Sequence, residues 1–220
     1  MRYIILLVAL CSSPLLFAQA LDVPEKEELP KGRQYRFPDF QSGTLALVTG
    51  REIPAELNYN LVTEEIVVQI NDVRAPYPTI HLVAKASIAD ASFIVLEKKV
   101  YEILHQGSDL LLAKRKQIVT QIGQQTGLGR TANQNDLRAE TRLQDTPMVY
   151  ELEIPSNYIL RDVNLYFLYK NGQLLPLRNF KKLAKLYAEE VDLKSFLREQ
   201  KLNSDTEEDL VKAFKYCMQN

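Results

Sequence analysis

The chain has 220 residues, with 27 basic and 28 acidic side chains and a formal net charge of −1. This length suits one domain of ordinary size, or one domain with a small appendage. The balanced charge argues against nucleic acid or an anionic membrane surface as the partner. Only two histidines and two cysteines are present, which leaves few side chains for zinc binding or acid–base catalysis.

The first twenty residues have the layout of a cleaved secretory signal peptide. Arg2 precedes a short apolar run, and the small residues Ala18 and Ala20 end the segment, as signal peptidase requires. We expect cleavage after Ala20 and export to the periplasm or the outer membrane. An uncleaved anchor is the main alternative, but residues 12–14 interrupt the run, which is short for a membrane span.

Cysteine usage supports the same interpretation. Leu10 stands where lipid attachment to Cys11 would need a small residue, so a lipoprotein anchor is disfavoured. Cys11 leaves with the signal, and Cys217 then has no intrachain disulfide partner. The core alone must stabilise the exported fold. No later apolar stretch is long enough to cross a bilayer as a helix.

After the signal, residues 21–40 read as an extended lead-in rich in proline and charge, which is ordered where Tyr35, Phe37 and Phe40 dock. Residues 41–177 read as a β-rich domain with a polar loop near residues 121–146. Pro54 is expected at a sheet edge or a bulge. Strands are predicted within residues 44–48, 52–57, 65–70, 80–84, 92–96, 109–114, 150–154, 164–170 and 173–177.

The turn Asn171-Gly172 is the clearest local signal, because this dipeptide favours a type I′ hairpin. From residue 178 to 220 the apolar period changes to that of short helices. Ser204 and Glu207 have the spacing of a capping box for the last helix. The sequence therefore predicts an α+β fold, in which an antiparallel β-rich body is followed by a short C-terminal helical segment. The apolar helix positions are Phe180, Leu183, Ala184, Tyr187, Leu193, Phe196, Leu197, Leu210, Val211, Phe214, Cys217 and Met218.

Catalytic signals are weak. His81 falls in a predicted strand, and His105 precedes Ser108 and Asp109 at the end of an element. Adjacent residues rarely reach triad geometry, so both histidines are interpreted as structural. We predict no catalytic residue, no metal site and no cofactor. The same interpretation applies to the paired acids and the glycine-rich loop, which read as solvated faces and a flexible segment: Glu64-Glu65, Glu189-Glu190, Glu207-Glu208 and Gly127-Leu128-Gly129-Arg130.

Tyrosine is the most distinctive residue type, with eleven tyrosines and no tryptophan. Tyrosine combines apolar area with a hydroxyl and is common at recognition surfaces. It also suits ordinary half-buried strands, and sheet packing is the better supported role. As binding candidates we name Tyr59, Tyr77, Tyr101, Tyr166 and Tyr169.

Several segments together resemble a group of exported proteins of Bacteroidota-type bacteria that has no established activity. They comprise Tyr35-Arg36-Phe37-Pro38-Asp39-Phe40, Gly43-Thr44-Leu45, Ala55-Glu56-Leu57-Asn58-Tyr59-Asn60, Glu64-Glu65-Ile66, Lys170-Asn171-Gly172 and residues 193–202 and 205–216. The resemblance covers most of the mature chain and implies an envelope location in a Gram-negative cell. It transfers no catalytic residue.

The leading hypothesis is a non-enzymatic, exported envelope protein that binds an envelope protein partner or a small ligand through its β-rich body. The alternative is a periplasmic carrier of an apolar ligand, held between a curved sheet and the terminal helices. A hydrolase that uses His105 or paired acids is the third and least supported hypothesis. Nucleic acid is not expected as a partner.

Overall fold

The computed structural model describes residues 32–121, 150, 158–188, 191–202 and 206–219. Within them, ten antiparallel strands form one sheet and three helices follow, which confirms the predicted fold class. The predicted signal, residues 151–154 of the strand predicted at 150–154, and most of the polar loop at 121–146 lie outside the described residues. None of the described helices has the length and apolar character needed to cross a membrane.

The sheet is made of two meanders. The order of its strands is β10-β9-β8-β7-β6-β5-β1-β2-β3-β4, so the pairing of β1 with β5 joins the meanders. The first meander contains β1 (Gln41–Leu47), β2 (Glu52–Asn60), β3 (Glu65–Ile70) and β4 (Val73–Pro76). The second contains β5 (Val83–Ile88), β6 (Ala91–Leu96), β7 (Lys99–Gln106), β8 (Leu110–Gln121), β9 (Tyr158–Lys170) and β10 (Gln173–Leu177).

Local chemistry explains the hairpins. Asn171 and Gly172 have φ angles of 53° and 75°, as the predicted type I′ turn requires. Asn71 also has a positive φ, 55°, in the tight turn between β3 and β4. Short asparagine side chains tolerate this left-handed conformation better than most residues. Both turns therefore fix the register of the strands that they join.

Both edge strands carry a proline at an outward position. The Tyr77 N–H donates to the Ile66 carbonyl at 2.9 Å. By the alternation of an antiparallel ladder, Pro76 therefore faces away from β3. Pro176 faces away from β9 by the same alternation, counted from the Lys170–Gln173 pair. A missing N–H at such a position weakens the pairing of a further strand with either edge.

Pro54 does not lie on an edge strand, as the sequence analysis allowed, although it lies beyond the end of one strand pairing. Its strand, β2, is internal, between β1 and β3. The described β2–β3 pairs end at Glu56 with Gln69, so Pro54 lies just beyond them. A residue without an N–H fits there because no β3 carbonyl is available to accept from it.

One core cluster lies where the meanders pack together. Tyr59 on β2 stacks on Phe93 of β6 with ring centroids 5.4 Å apart. The Tyr59 hydroxyl donates to the Arg115 carbonyl on β8 at 3.0 Å. Contacts between distant strands of one sheet show that the sheet curls over its own face. The cluster also contains Leu45, Leu57, Leu61, Ile66, Val83, Ala86, Ile88 and Val100.

The second core cluster lies between the sheet and helices α1 (Phe180–Leu186), α2 (Leu193–Glu199) and α3 (Glu207–Gln219). Leu183 and Phe214 are fully buried there against Leu111 and Leu168 of the sheet. Helices of seven residues are unstable alone in water, so this contact stabilises them. The apolar helix faces predicted from the sequence are the faces that pack in this cluster against the sheet and one another.

One local expectation is corrected, and other details are added. Residues 80–82 form a 3₁₀ turn rather than the start of a strand, and β5 begins at Val83. The described first turn of α3 has Thr206 as its cap: its hydroxyl accepts from the Asp209 N–H at 3.3 Å. Ser204 of the predicted capping box lies outside the described residues, and the Glu207 carboxylate accepts from Arg115. Strands β4 and β7 were not predicted.

Candidate functional site

The two histidines lie in different environments. His81 is exposed in the 3₁₀ turn. His105 is in β7 and packs edge-on against Phe214, with ring centroids 5.7 Å apart. Partial burial, and then the charge of Lys215, lower the pKa of His105. A lowered pKa favours the neutral ring, which suits a residue packed on an aromatic side chain.

The residues that follow His105 have structural partners of their own. Asp109 is buried and accepts a 2.5 Å hydrogen bond from the Tyr187 hydroxyl, and the Lys170 ammonium lies 3.6 Å from it. The Ser108 hydroxyl lies 3.5 Å from the Met218 sulfur. These contacts connect the sheet to the helices and do not arrange a serine, a histidine and an acid in series.

The predicted tyrosine set divides between the interior and the surface. Tyr59 is buried in the first core cluster. Tyr101 is buried with its ring edge-on to Phe167 at 5.4 Å. Tyr166 packs against the helical core, where burial and the nearby Glu207 raise its pKa to about 12. Tyr59 and Tyr101 are thus not available at a surface. For these two residues the structure agrees with the sheet-packing role that the sequence analysis favoured.

The remaining two tyrosines are half-buried in separate places. Tyr169 is on β9, opposite Leu110. Tyr77 follows β4 and lines a groove on the first meander. Tyr77 is therefore the predicted tyrosine that the structure places at a concave surface.

The groove has a volume of about 500 Å³ and lies on β1–β4. Alternate residues of these strands share one face of the sheet, as the strand register requires. Towards one end of this face Leu57 and Ile66 are buried in the first core cluster. Towards the other end the face is uncovered, and Ile70 and Val73 are 68% and 69% exposed. We call this uncovered end the apolar groove.

Its walls are mostly hydrocarbon. They include Ile53, Val68, Ile70, Val73 and Tyr77, and none of the lining residues carries a charge. The amide of Gln69 and the phenol of Tyr77 are the side-chain polar groups among the lining residues. A groove of this composition recognises a ligand by apolar contact rather than by ion pairing.

A charged cluster lies elsewhere, on the face of β7–β9. Arg115 on β8 donates to Glu102 on β7 at 2.7 Å and to both carboxylate oxygens of Glu207 at 2.5 and 2.8 Å. Arg36, from the lead-in, donates to the same Glu102 at 3.2 and 3.3 Å. We call these residues, Arg36, Glu102, Arg115 and Glu207, the four-residue ion network.

Burial makes this network electrostatically strong. The side chains of Glu102 and Arg115 are each 8% exposed. Burial alone would raise the pKa of Glu102, but hydrogen bonds from Arg115 and Arg36 outweigh it and lower the pKa. The ion pair between Glu102 and Arg115 thus compensates the free-energy cost of removing both charged groups from water.

No protein-family model, no curated protein and no solved structure matches this chain. Its function is therefore inferred from the geometry of the described residues. Among those residues, no group of three or more potential ligands could hold a metal ion. The acidic neighbours Glu64 and Glu65 have different partners: Lys114 pairs with Glu64, and the Tyr150 hydroxyl donates to Glu65 at 2.9 Å.

Proposed function

We propose that this chain is an exported, non-enzymatic binding protein of the cell envelope that takes an apolar ligand in the groove on β1–β4. The observation that carries the proposal is the uncharged, uncovered end of the sheet face, with Ile70 and Val73 exposed on it. Large exposed apolar patches on a monomer commonly mark binding sites. The signal-like N-terminus supports the cellular location.

The chemistry of the neighbouring edge favours a hydrocarbon chain over an added peptide strand. An added strand gains affinity from main-chain hydrogen bonds to the edge. On β4 the outward positions are Arg74 and Pro76, and Pro76 has no N–H to donate. The groove beside this edge offers apolar area instead. We therefore propose a ligand that carries an acyl chain.

The available area is sufficient for useful affinity. Burial of one methylene group contributes about 0.8 kcal/mol, so eight methylenes contribute about 6 kcal/mol before the cost of association. No charged lining residue has to lose water for this gain. This makes the apolar-ligand carrier, the alternative from the sequence analysis, the more specific form of the binding hypothesis. The proposed ligand site is the groove on β1–β4, and not the space between the curved sheet and the terminal helices that the carrier hypothesis named.

The test is displacement of a fluorescent fatty acid from the purified mature protein by palmitate. We expect the wild type to bind, and Ile70→Asp and Val73→Asp to weaken binding at least tenfold. Both side chains are exposed, so the substitutions should leave the fold intact, which circular dichroism can verify. Val48→Asp is the matched control, because Val48 is 62% exposed and does not line the groove.

Two outcomes would contradict the proposal. One is the absence of fatty-acid binding by the folded wild type. The other is an equal loss of binding in Val48→Asp and Val73→Asp. Native mass spectrometry of the gently purified protein gives an independent readout, since a retained lipid would appear as a mass adduct that Val73→Asp lacks.

A further inference from the structure

The structure contains a second concave site, which shares no lining residue with the apolar groove. A cavity of about 310 Å³ lies beside the four-residue ion network. It is formed by the lead-in, β8, β9 and the start of α3, which are far apart in sequence. Its lining includes Arg33, Arg36, Arg115, Lys116, Asp162 and Glu207.

We propose that this cavity binds a small organic anion, a carboxylate or phosphate that also carries hydroxyl groups. The first argument is charge. Among the described residues that line it, four are basic and two are acidic. Glu207 has both carboxylate oxygens engaged by Arg115, and one oxygen of Asp162 accepts from the Gln117 amide at 2.8 Å. The buried Glu102, which pairs with Arg36 and Arg115, adds a third acidic group behind the wall. Among the described residues, positive charge therefore still exceeds negative charge by one.

The second argument is the donor capacity of Arg36. A guanidinium group has five N–H donors. The described hydrogen bonds of Arg36 use its Nε and Nη2 atoms, both towards Glu102, and both are long. Its side chain is 38% exposed, whereas that of Glu102 is 8% exposed. Arg36 is thus held in place on one side and can bind a bidentate oxyanion on the other.

The third argument is the rigidity of the other walls. Arg33 donates from Nη2 to the Tyr158 carbonyl at 2.9 Å, and its own carbonyl accepts from Gln117 at 3.0 Å. Arg115 is oriented by Glu102 and Glu207. Cations that are already held in position lose little side-chain freedom when a ligand arrives.

Gln117 adds a polar preference to this site. It is 7% exposed, and its Oε1 accepts no hydrogen bond from the described residues. Buried carbonyl oxygens usually have a partner. Gln117 and Asn164 both line the cavity, and side-chain amides can hydrogen-bond with the hydroxyl groups of a ligand. This is why a hydroxylated anion is preferred over a simple inorganic one.

The probes are D-glucuronate, inorganic phosphate and D-glucose, measured by isothermal titration or by chemical-shift changes on the mature protein. Glucuronate and glucose share a hydroxylated ring, but only glucuronate has the carboxylate. We expect glucuronate to bind more tightly than phosphate, and glucose to bind at least tenfold more weakly than glucuronate. Binding should weaken as salt is raised.

Arg36→Gln and Arg33→Gln should each reduce glucuronate affinity about tenfold or more. Arg51→Gln, in the exposed turn between β1 and β2, is the matched control and should bind as the wild type does. If Arg36→Gln unfolds the protein because the Arg36–Glu102 pair is lost, Arg33→Gln still tests the site, since it leaves that pair in place. Val73→Asp should leave glucuronate binding unchanged, which separates this site from the apolar groove.

The absence of glucuronate and phosphate binding by the folded wild type would overturn the proposal, and the network would then be purely structural. Equal affinity for glucose and glucuronate would overturn it as well, because the arginines would then contribute nothing. Binding that survives in both Arg33→Gln and Arg36→Gln would place the anion elsewhere and would have the same consequence.

Discussion

Arg115 on β8 donates two hydrogen bonds to Glu207 in the first turn of α3, 92 residues further along the chain. The same guanidinium binds Glu102 on β7, which also accepts from Arg36 of the lead-in. One buried cation therefore joins the sheet to the last helix, and through Glu102 it joins the lead-in as well.

Arg115→Met should destabilise the protein by about 3 kcal/mol or more, because it leaves the buried Glu102 with only the weaker Arg36 bonds. Urea unfolding of the mature chain measures the change. Lys212→Met is the control: Lys212 is 61% exposed, its partner Asp209 lies 3.2 Å away, and such pairs contribute below about 1 kcal/mol. Equal effects of the two substitutions would show that burial of the network has no energetic weight.

The pKa of Glu102 predicts a pH dependence of stability. Burial raises this pKa, but the hydrogen bonds from Arg115 and Arg36 lower it below its ordinary value of 4.5. The folded state thus binds the proton less tightly than the unfolded chain does. The stabilisation is present above pH 4.5 and is lost as the pH falls through the lowered pKa.

Glu102→Gln tests this, because glutamine does not titrate. The difference in unfolding free energy between wild type and Glu102→Gln should be large at pH 7 and should shrink at pH 3. The measurement is urea unfolding at the two pH values. A difference that stays constant between them would mean that Glu102 does not carry the effect.

Gly43 is predicted to be irreplaceable at the seam between the two meanders. A Cβ atom added there would overlap the Ser87 carbonyl oxygen on β5 and would lie 2.9 Å from Leu57 Cδ1. The oxygen belongs to the backbone of a paired strand, so Gly43→Ala must shift β1 from β5. We expect destabilisation at the upper end of the range of about 1–3 kcal/mol that is typical of overpacking.

Gly50→Ala is the comparison for Gly43→Ala. Gly50 has a φ of 84° and open space around its Cα, so its replacement costs backbone strain without overlap. That strain is about 1–2 kcal/mol. Thermal unfolding of both variants separates the two causes. A Gly43→Ala protein as stable as the wild type would mean that the β1–β5 contact is looser than described.

The sequence predicted those strands and turns whose conformation is determined by residues adjacent in the chain. β3 was predicted with its observed bounds, because a run rich in Ile and Val ends there in the turn residues Asn71 and Asp72. The Asn171-Gly172 hairpin was predicted because its φ angles follow from residue type. β4 was missed, because Val73–Pro76 has only four residues and contains a proline. Such a segment pairs only when β3 is already present beside it.

The two candidate sites could not be predicted in the same way. Arg36, Glu102, Arg115 and Glu207 are ordinary charged residues in sequence, and only the curled sheet brings them together. The sequence gives little signal for them: Arg115 lies between Lys114 and Lys116 in a basic run, and Glu102 follows the uncharged pair Val100-Tyr101. For the tyrosines, residue type favoured sheet packing over recognition, and Tyr59, whose hydroxyl donates to the Arg115 carbonyl inside the core, is packed in that way. Residue type could not predict which tyrosines stay accessible, because tertiary contacts decide this.

Export predicts a defined mature N-terminus. When the full chain is expressed in a Gram-negative host, signal peptidase should cut after Ala20, and the intact mass should correspond to a chain that starts at Leu21. Ala18→Leu should block this cleavage, because the −3 position accepts only small residues. Ala9→Leu is the matched control: it adds the same volume within the apolar run and should be processed normally. A purified wild type that retains Met1, or equal processing of both variants, would remove the signal-peptide interpretation and with it the envelope location of both proposed binding sites.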